Sequence, residues 1–241
     1  MTDKVAVVTG AGRGIGLEVC RQLAERGMTV VLTARDPEKA KVAAEQLVGE
    51  SLDVIPKALD VSNDESVRGL AAELEQEFGT LDVLVNNAAA YADWSEMASS
   101  ADLGLAQGVL ETNLFGTWRV CQAFLPLIGR SGHGRIVNVS SGAGSHGERW
   151  FGLTTNRVSA ASYSISKAAL NALTAKLAAE LEGTGVLVNA VDPGLTATAP
   201  GMEEIGARPV AEGAASVVWG ATLPDNGPTG GFFRDGEPLP W

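Results

Sequence analysis

TGAGRGIG, residues Thr9 to Gly16, joins a short apolar, β-branched run to an amphipathic one with almost no side chain between them. Upstream, KVAVVT has the composition of a buried strand; downstream, Ile15, Val19, Cys20 and Leu23 fall at helical spacing. The glycines therefore lie in a strand-to-helix turn. There Gly10 takes backbone angles that a Cβ forbids, Gly14 lets a diphosphate approach the main chain, and Gly16 lets the helix lie close to the strand. The helix start at Gly14 and Ile15 offers unbonded N–H groups to phosphate oxygens. A second apolar run at 29–33 closes a βαβ unit, and that context turns a common glycine pattern into the expectation of a dinucleotide.

The same alternation continues along the chain. Strands are expected at 4–9, 29–33, 53–59, 81–86, 134–140, 186–192 and 230–234, with helices at 14–26, 37–48, 63–78, 103–128, 160–181 and 210–223. The expected fold is α/β, a Rossmann fold with a doubly wound, seven-stranded parallel sheet and helices on both faces. Residues 1–241 are expected to form a single dinucleotide-binding and catalytic domain. Irregular stretches at 88–100, 142–159 and 193–208 each follow the C-terminal end of a strand, which is the ligand side of such a sheet.

Composition narrows the function. The 241 residues are 45% hydrophobic, enough to bury one substantial core. No run approaches the roughly 18 apolar residues that a membrane span needs, and the N-terminus lacks a basic region and cleavage site, so a soluble cytoplasmic protein is expected. Cys20 and Cys121 fall in expected helices and read as core thiols; with only His133 and His146 besides, no metal centre is expected. A formal charge of −11 opposes a nucleic-acid surface and leaves small molecules as the expected partners. A local positive site for an anionic cofactor remains compatible with it.

The second strand ends TARD, where the two nicotinamide cofactors can be told apart. Ala34 stands where an acid would accept the ribose hydroxyls of NAD, Arg35 follows it, and Arg13 lies in the glycine turn. Two planar guanidiniums suit a 2′-phosphate and favour NADP(H). The alternative leaves both arginines solvated and gives the ribose to Asp36, which is also placed to cap the helix beginning at Pro37. Asp60 and Val61 in ALDVS are placed against adenine, or form a plain turn. In NNAA, Asn86 and Asn87 can tie neighbouring strands while the alanines leave room for a cofactor.

Tyr163 and Lys167, in YSISK, share one helix face at i, i+4 spacing, and RIVNVSS, 135–141, is a strand ending in hydroxyls. Bringing a phenol from its usual pKa of about 10 to near 7 takes roughly 4 kcal/mol, which a neighbouring ammonium and a positively charged nicotinamide ring could supply. TGAGRGIG, NNAA, Asn113 in ETNLFGT, Ser141 in NVSS, and Tyr163 with Lys167 together resemble the short-chain dehydrogenase/reductase family over nearly the whole chain. The resemblance implies that Tyr163 donates a proton to a substrate carbonyl and that Ser141, the second serine, bonds the same oxygen. Lys167 would lower the tyrosine pKa and hold the ribose hydroxyls; Asn113 would position a water linking Lys167 to solvent.

In VDPGLTAT the resemblance places Pro193 and Gly194 beside the nicotinamide, with main chain near Thr196 and the Thr198 hydroxyl on its carboxamide. A helix cap or plain turn is the alternative for these threonines. IGLEVCRQLA, VVLTARD and ETNLFGTWRVCQAFLPLI are similar to the NADPH-using carbonyl reductases of the family, the salutaridine- and menthone-reductase-like group. Two departures stand out. NNAA replaces NNAG, and the segment between Ser141 and Tyr163 is longer than in most members yet shorter than the insertion of monomeric carbonyl reductases. Monomer and homo-oligomer both stay open.

The expected activity is NADPH-dependent reduction of a ketone or aldehyde. Oxidation of an alcohol, sugar or steroid is the enzymatic alternative; a non-enzymatic NADP-binding redox sensor is the other, though a sensor needs no proton donor. Tyr91, Trp94, Trp150, Phe151 and Met202 fall in the ligand-side loops, as an apolar substrate pocket or as lid and core packing.

Overall fold

The computed structural model describes residues 4–155 and 160–241; the end of the loop expected at 142–159 lies outside the described residues. The strands are β1 (Val5–Val8), β2 (Thr29–Ala34), β3 (Val54–Ala58), β4 (Val83–Asn86), β5 (Arg135–Val139), β6 (Leu187–Val191), β7 (Phe232–Arg234) and β8 (Glu237–Pro238). The helices are α1 (Gly14–Ala24), α2 (Pro37–Val48), α3 (Asp64–Phe78), α4 (Leu103–Leu110), α5 (Thr117–Ile128), α6 (Ala161–Glu180) and α7 (Val210–Ala221). Strand order is β3-β2-β1-β4-β5-β6-β7-β8, with every pairing parallel except β7 with β8. The order reverses between β1 and β4, so their C-terminal ends open the crevice where ligands bind in such sheets.

Side-chain alternation builds two apolar layers around the sheet. Ala6, Val8, Val30, Leu32 and Val85 face one way, against Val19 and Leu23 of α1, Leu47 of α2 and Val217 of α7. Val5, Val7, Val31, Leu84 and Val188 face the other way, against Leu70 and Leu74 of α3, Phe124 of α5 and Leu173 of α6. Burial on both faces explains why these strands read as continuous apolar runs. Cys20 and Cys121 are buried free thiols, one in each layer.

Two expectations need correction. Among the described residues the sheet has eight strands, because RDGE folds as a tight hairpin: Asp235 (φ 53°) and Gly236 (φ 82°) both take left-handed angles and return β8 along β7. Asp-Gly is a strong signal for that turn. The helix expected over 103–128 is divided by a π-helical turn, Glu111–Gly116, between α4 and α5. Asn113 sits in that turn, and a Cβ at Gly116 would lie 2.8 Å from Val61 Cγ2, so the widened turn comes against the loop after β3.

Candidate active site

The glycine turn is fastened to the end of β4 through Thr9. Its buried hydroxyl accepts the N–H groups of Asn87 and Ala88, each at 3.0 Å, while Asn87 Nδ2 donates to the carbonyls of Thr9 (2.9 Å) and Gly10 (3.1 Å). Gly10 has φ +64°, and a Cβ there would come within 2.7 Å of Ala88 Cα. At Gly16 a Cβ would meet Asn87 Nδ2 at 2.4 Å. No larger residue fits between turn, helix and β4. α1 starts after Arg13 without a side-chain cap, so its first N–H groups face the crevice.

The crevice is a groove of about 460 Å³. Its walls bring together Gly10, Arg13, Gly14, Ile15, Gly16, Arg35, Asp60, Val61, Asn87 and Thr198 from the expected cofactor set. Among the described residues, no carboxylate lies within ion-pair distance of Arg13 or Arg35. Asp36 instead caps α2, accepting Glu38 N at 3.0 Å ahead of Pro37. Asp60 accepts the hydroxyl and N–H of Ser62, which hold its carboxyl below the usual range with help from Arg35 and Arg119. Val61 O accepts Arg119 Nη1 at 2.7 Å.

Beyond Tyr91 in the groove wall, β5 stops at Val139 and presents two serines to α6. Ser140 is buried and donates to Asn171 Oδ1 at 2.5 Å, which leaves Ser141, partly exposed, beside Tyr163. A short 3-10 turn, Gly142–Gly144, follows; a Cβ at Gly144 would lie 2.6 Å from the Ala168 nitrogen, so this turn packs directly on α6 next to Lys167. Lys167 is buried, donates to Val139 O at 2.8 Å, and holds its Nζ 5.6 Å from the Tyr163 ring centre. Burial pulls its pKa down to about 8, with Asp192 acting the other way. Burial pushes the Tyr163 phenol well above its ordinary value; Tyr91 and Asp192 add to the rise, and Ser141 opposes it.

Asn113 joins three segments. Its Oδ1 accepts Ala90 N at 2.7 Å, and its Nδ2 donates to Ala90 O and Ser166 Oγ, both at 2.9 Å. The π turn thus links the loop after β4 to α6. Asn86 Nδ2 donates to Asn138 Oδ1 at 2.9 Å, tying β4 to β5. After β6, Asp192 accepts Gly194 N at 2.7 Å, and Pro193 and Gly194 begin the loop to α7. The Thr196 hydroxyl turns back onto the carbonyls of Pro193 and Gly194, and its own carbonyl accepts Thr198 N at 2.8 Å; Pro193, Gly194 and Thr196 do not line the groove. The methyl of Thr198 would meet a Cβ at Gly14 at 3.4 Å, and its hydroxyl faces the Met202 sulfur at 3.8 Å.

Of the aromatic candidates, Tyr91 stacks on Tyr163 with ring centres 5.1 Å apart and planes 18° apart, and Trp94 meets both rings. Tyr91 also forms part of the wall between the groove and a second cavity of about 420 Å³ bounded by residues 90–102 and α4. Trp150 and Phe151 stand 59% and 50% exposed on the loop after Ser141. That loop is fastened by the chain's last residues, through His146 N and Gly147 N to Trp241 O (2.9 and 3.0 Å) and Ser145 Oγ to Pro240 O (2.7 Å). Sequence reasoning passed over Asp192, Arg234 and the tyrosine stack. For Asp192 the available signal was an acid directly before Pro-Gly at a strand's C-terminal end.

Comparison with known proteins identifies the family and the fold. The chain is 35% identical to short-chain dehydrogenase/reductase 1 of Saponaria officinalis, covering 99% of this chain and 96% of that protein. Its structure superposes with a TM-score of 0.86 on NADPH-bound carbonyl reductase from chicken fatty liver, at 26% identity over the full length of both chains. With salutaridine reductase from Papaver somniferum the TM-score is 0.81, at 32% identity, covering 96% of this chain and 99% of that one. The family profile of the short chain dehydrogenases matches residues 4–207, and the chain belongs to that family of oxidoreductases.

Proposed function

We propose that this protein is an NADPH-dependent carbonyl reductase acting on a ketone or aldehyde. The observation that carries the reading is the cluster of partly exposed Ser141 with buried Tyr163 and Lys167, reached through the Tyr91 stack from a groove that holds two arginines with no carboxylate partner among the described residues. The groove fits a dinucleotide phosphate: free N–H groups at the start of α1 suit the diphosphate, and Arg13 with Arg35 suits a 2′-phosphate. NADPH-bound carbonyl reductase shares the fold, in support of the same cofactor here. Gly10, Gly14, Ile15, Gly16, Asn87, Asp60, Val61, Pro193, Gly194, Thr196 and Thr198 complete the proposed cradle.

When bound, the reduced nicotinamide supplies a hydride to the carbonyl carbon. Tyr163 gives its phenolic proton to the carbonyl oxygen, and Ser141 donates a hydrogen bond to that oxygen as charge develops on it. Burial keeps the phenol protonated until the substrate arrives. The Lys167 ammonium then stabilises the phenolate left behind, and Asn113 holds the segment through which a water path returns a proton from solvent. Tyr91 and Trp94 offer flat apolar faces beside the phenol, and Met202, Trp150 and Phe151 lie on the loops around it, in keeping with an apolar substrate.

The test is NADPH and NADH oxidation against aryl ketones, diketones, quinones and aldehydes, with Tyr163→Phe alongside. Expected is turnover with NADPH that falls by about a hundred- to ten-thousand-fold in the variant while NADPH binding persists. Equal turnover in the variant would remove Tyr163 from the chemistry.

A further inference from the structure

We propose that Asp192 is a positioning residue of this site, locking Ser141 to the nicotinamide side and, as an ion pair with Arg234, setting the charge behind Tyr163 and Lys167. The proposal rests on the carbonyl-reductase reading above. Asp192 follows β6 with its side chain 5% exposed. Its Oδ2 accepts Gly142 N at 2.8 Å and Arg234 Nη2 at 2.5 Å, and its Oδ1 accepts Gly194 N at 2.7 Å. Gly142 directly follows Ser141, and Gly194 opens the loop proposed to flank the nicotinamide. One carboxylate therefore holds the ends of β5, β6 and β7 in a single arrangement.

Neutral acceptors could bond the same two N–H groups, so the charge itself calls for a role. A buried carboxylate is costly unless paired. Arg234 is its partner, and among the described residues Asp192 is the side-chain acceptor of that guanidinium, whose Nε is buried without a partner. The other charged groups around the pair are few. Lys167 and Tyr163 face it from α6; Arg208, paired with Asp235 at 2.7 and 2.8 Å, faces it from the loop before α7. Glu148 approaches Gly142, with Cγ 3.4 Å from where a Cβ would stand.

The negative charge raises both Lys167 and Tyr163, against the burial that lowers the lysine and together with the burial that raises the tyrosine. Each effect keeps a proton where carbonyl reduction needs it, on the ammonium and on the phenol. Removing the charge lowers both affinities for protons; removing Arg234 leaves the charge uncompensated and raises both. The two variants thus have opposite signs.

The experiment is the pH dependence of kcat/KM for NADPH-driven reduction of an aryl ketone by the full chain, by Asp192→Asn and by Arg234→Gln. The alkaline limb is expected to move down by about one pH unit in the first and up in the second. Limbs that stay in place, or move the same way, overturn the proposal, because a purely structural role lowers rates without opposite displacements. A wild-type protein that reduces no carbonyl defeats the functional reading instead. Asp192 is then decided without turnover, by phenolate absorbance of the NADP⁺ complex in a Tyr91→Phe background. Of the chain's two tyrosines only Tyr163 remains there, and the same opposite shifts are expected in its midpoint. Should Asp192→Asn fail to fold, Arg234→Gln decides alone: an upward shift supports the charge role, and none refutes it.

Discussion

The two parts of the candidate site, glycine turn and tyrosine cluster, are built from different materials. Around the glycine turn, main-chain groups, Thr9, Asn87 and missing Cβ atoms do the fastening, and the exposed Arg13 and Arg35 line the groove. Around Tyr163 the fastening is done by buried polar and charged side chains: Asn113 on Ala90 and Ser166, Lys167 on Val139, and Asp192 on Gly142, Gly194 and Arg234. A backbone-built site tolerates little change of shape. A site built from buried charge is sensitive to protonation instead.

Substitutions in the two parts should therefore fail differently. The largest effect beyond Tyr163→Phe is expected from Gly10→Ala, where left-handed φ and contact with Ala88 Cα combine to cost about 2–3 kcal/mol of stability by urea unfolding. Unchanged stability would mean that the turn is softer than its contacts imply. Next, replacing Arg13 and Arg35 together by alanine should weaken NADPH binding about ten- to a hundredfold and leave NADH binding alone, since no ion pair among the described residues is broken. Parallel loss for both cofactors would place the arginines elsewhere than on the 2′-phosphate.

At the tyrosine cluster, reduction should hold steady at lower pH and decline as pH rises through about 8, the value to which burial lowers Lys167. The sign follows from the lysine acting as its ammonium, the form present below that pKa. A decline toward acid would contradict it. The smallest change is expected for Tyr91→Ala, which removes the ring stacked on Tyr163 and should shift KM about two- to tenfold between compact and bulky ketones while kcat holds. Identical KM ratios would separate that ring from substrate selection.

The same contrast explains what could be read from the chain alone. Conformation in the glycine turn is local, so TGAGRGIG announces its own geometry, and the strand and helix periodicities that follow it reproduce nearly every element. The Asp36 cap on α2 was equally legible, being settled within three residues. Pairings fixed by tertiary packing were not. Asp192 and Arg234 stand 42 positions apart. Tyr91 reaches Tyr163 from the far side of the π turn, a break that continuous helical periodicity over 103–128 hides. The eighth strand was legible in Asp-Gly but is only two residues long, too short for any periodic pattern.

That hairpin also closes one margin of the sheet. At the opposite margin, β3 bonds to β2 through alternate residues, as Leu59 N to Ala34 O and Val30 N to Asp53 O show, so Pro56 occupies a position whose N–H would point outward. Proline has none to offer. Pro238 stands in β8, so both outermost strands carry an imino acid and neither presents a full ladder of donors to a stray extended segment. Each margin thus lacks a donor where an added strand would need one, remote from the chemistry.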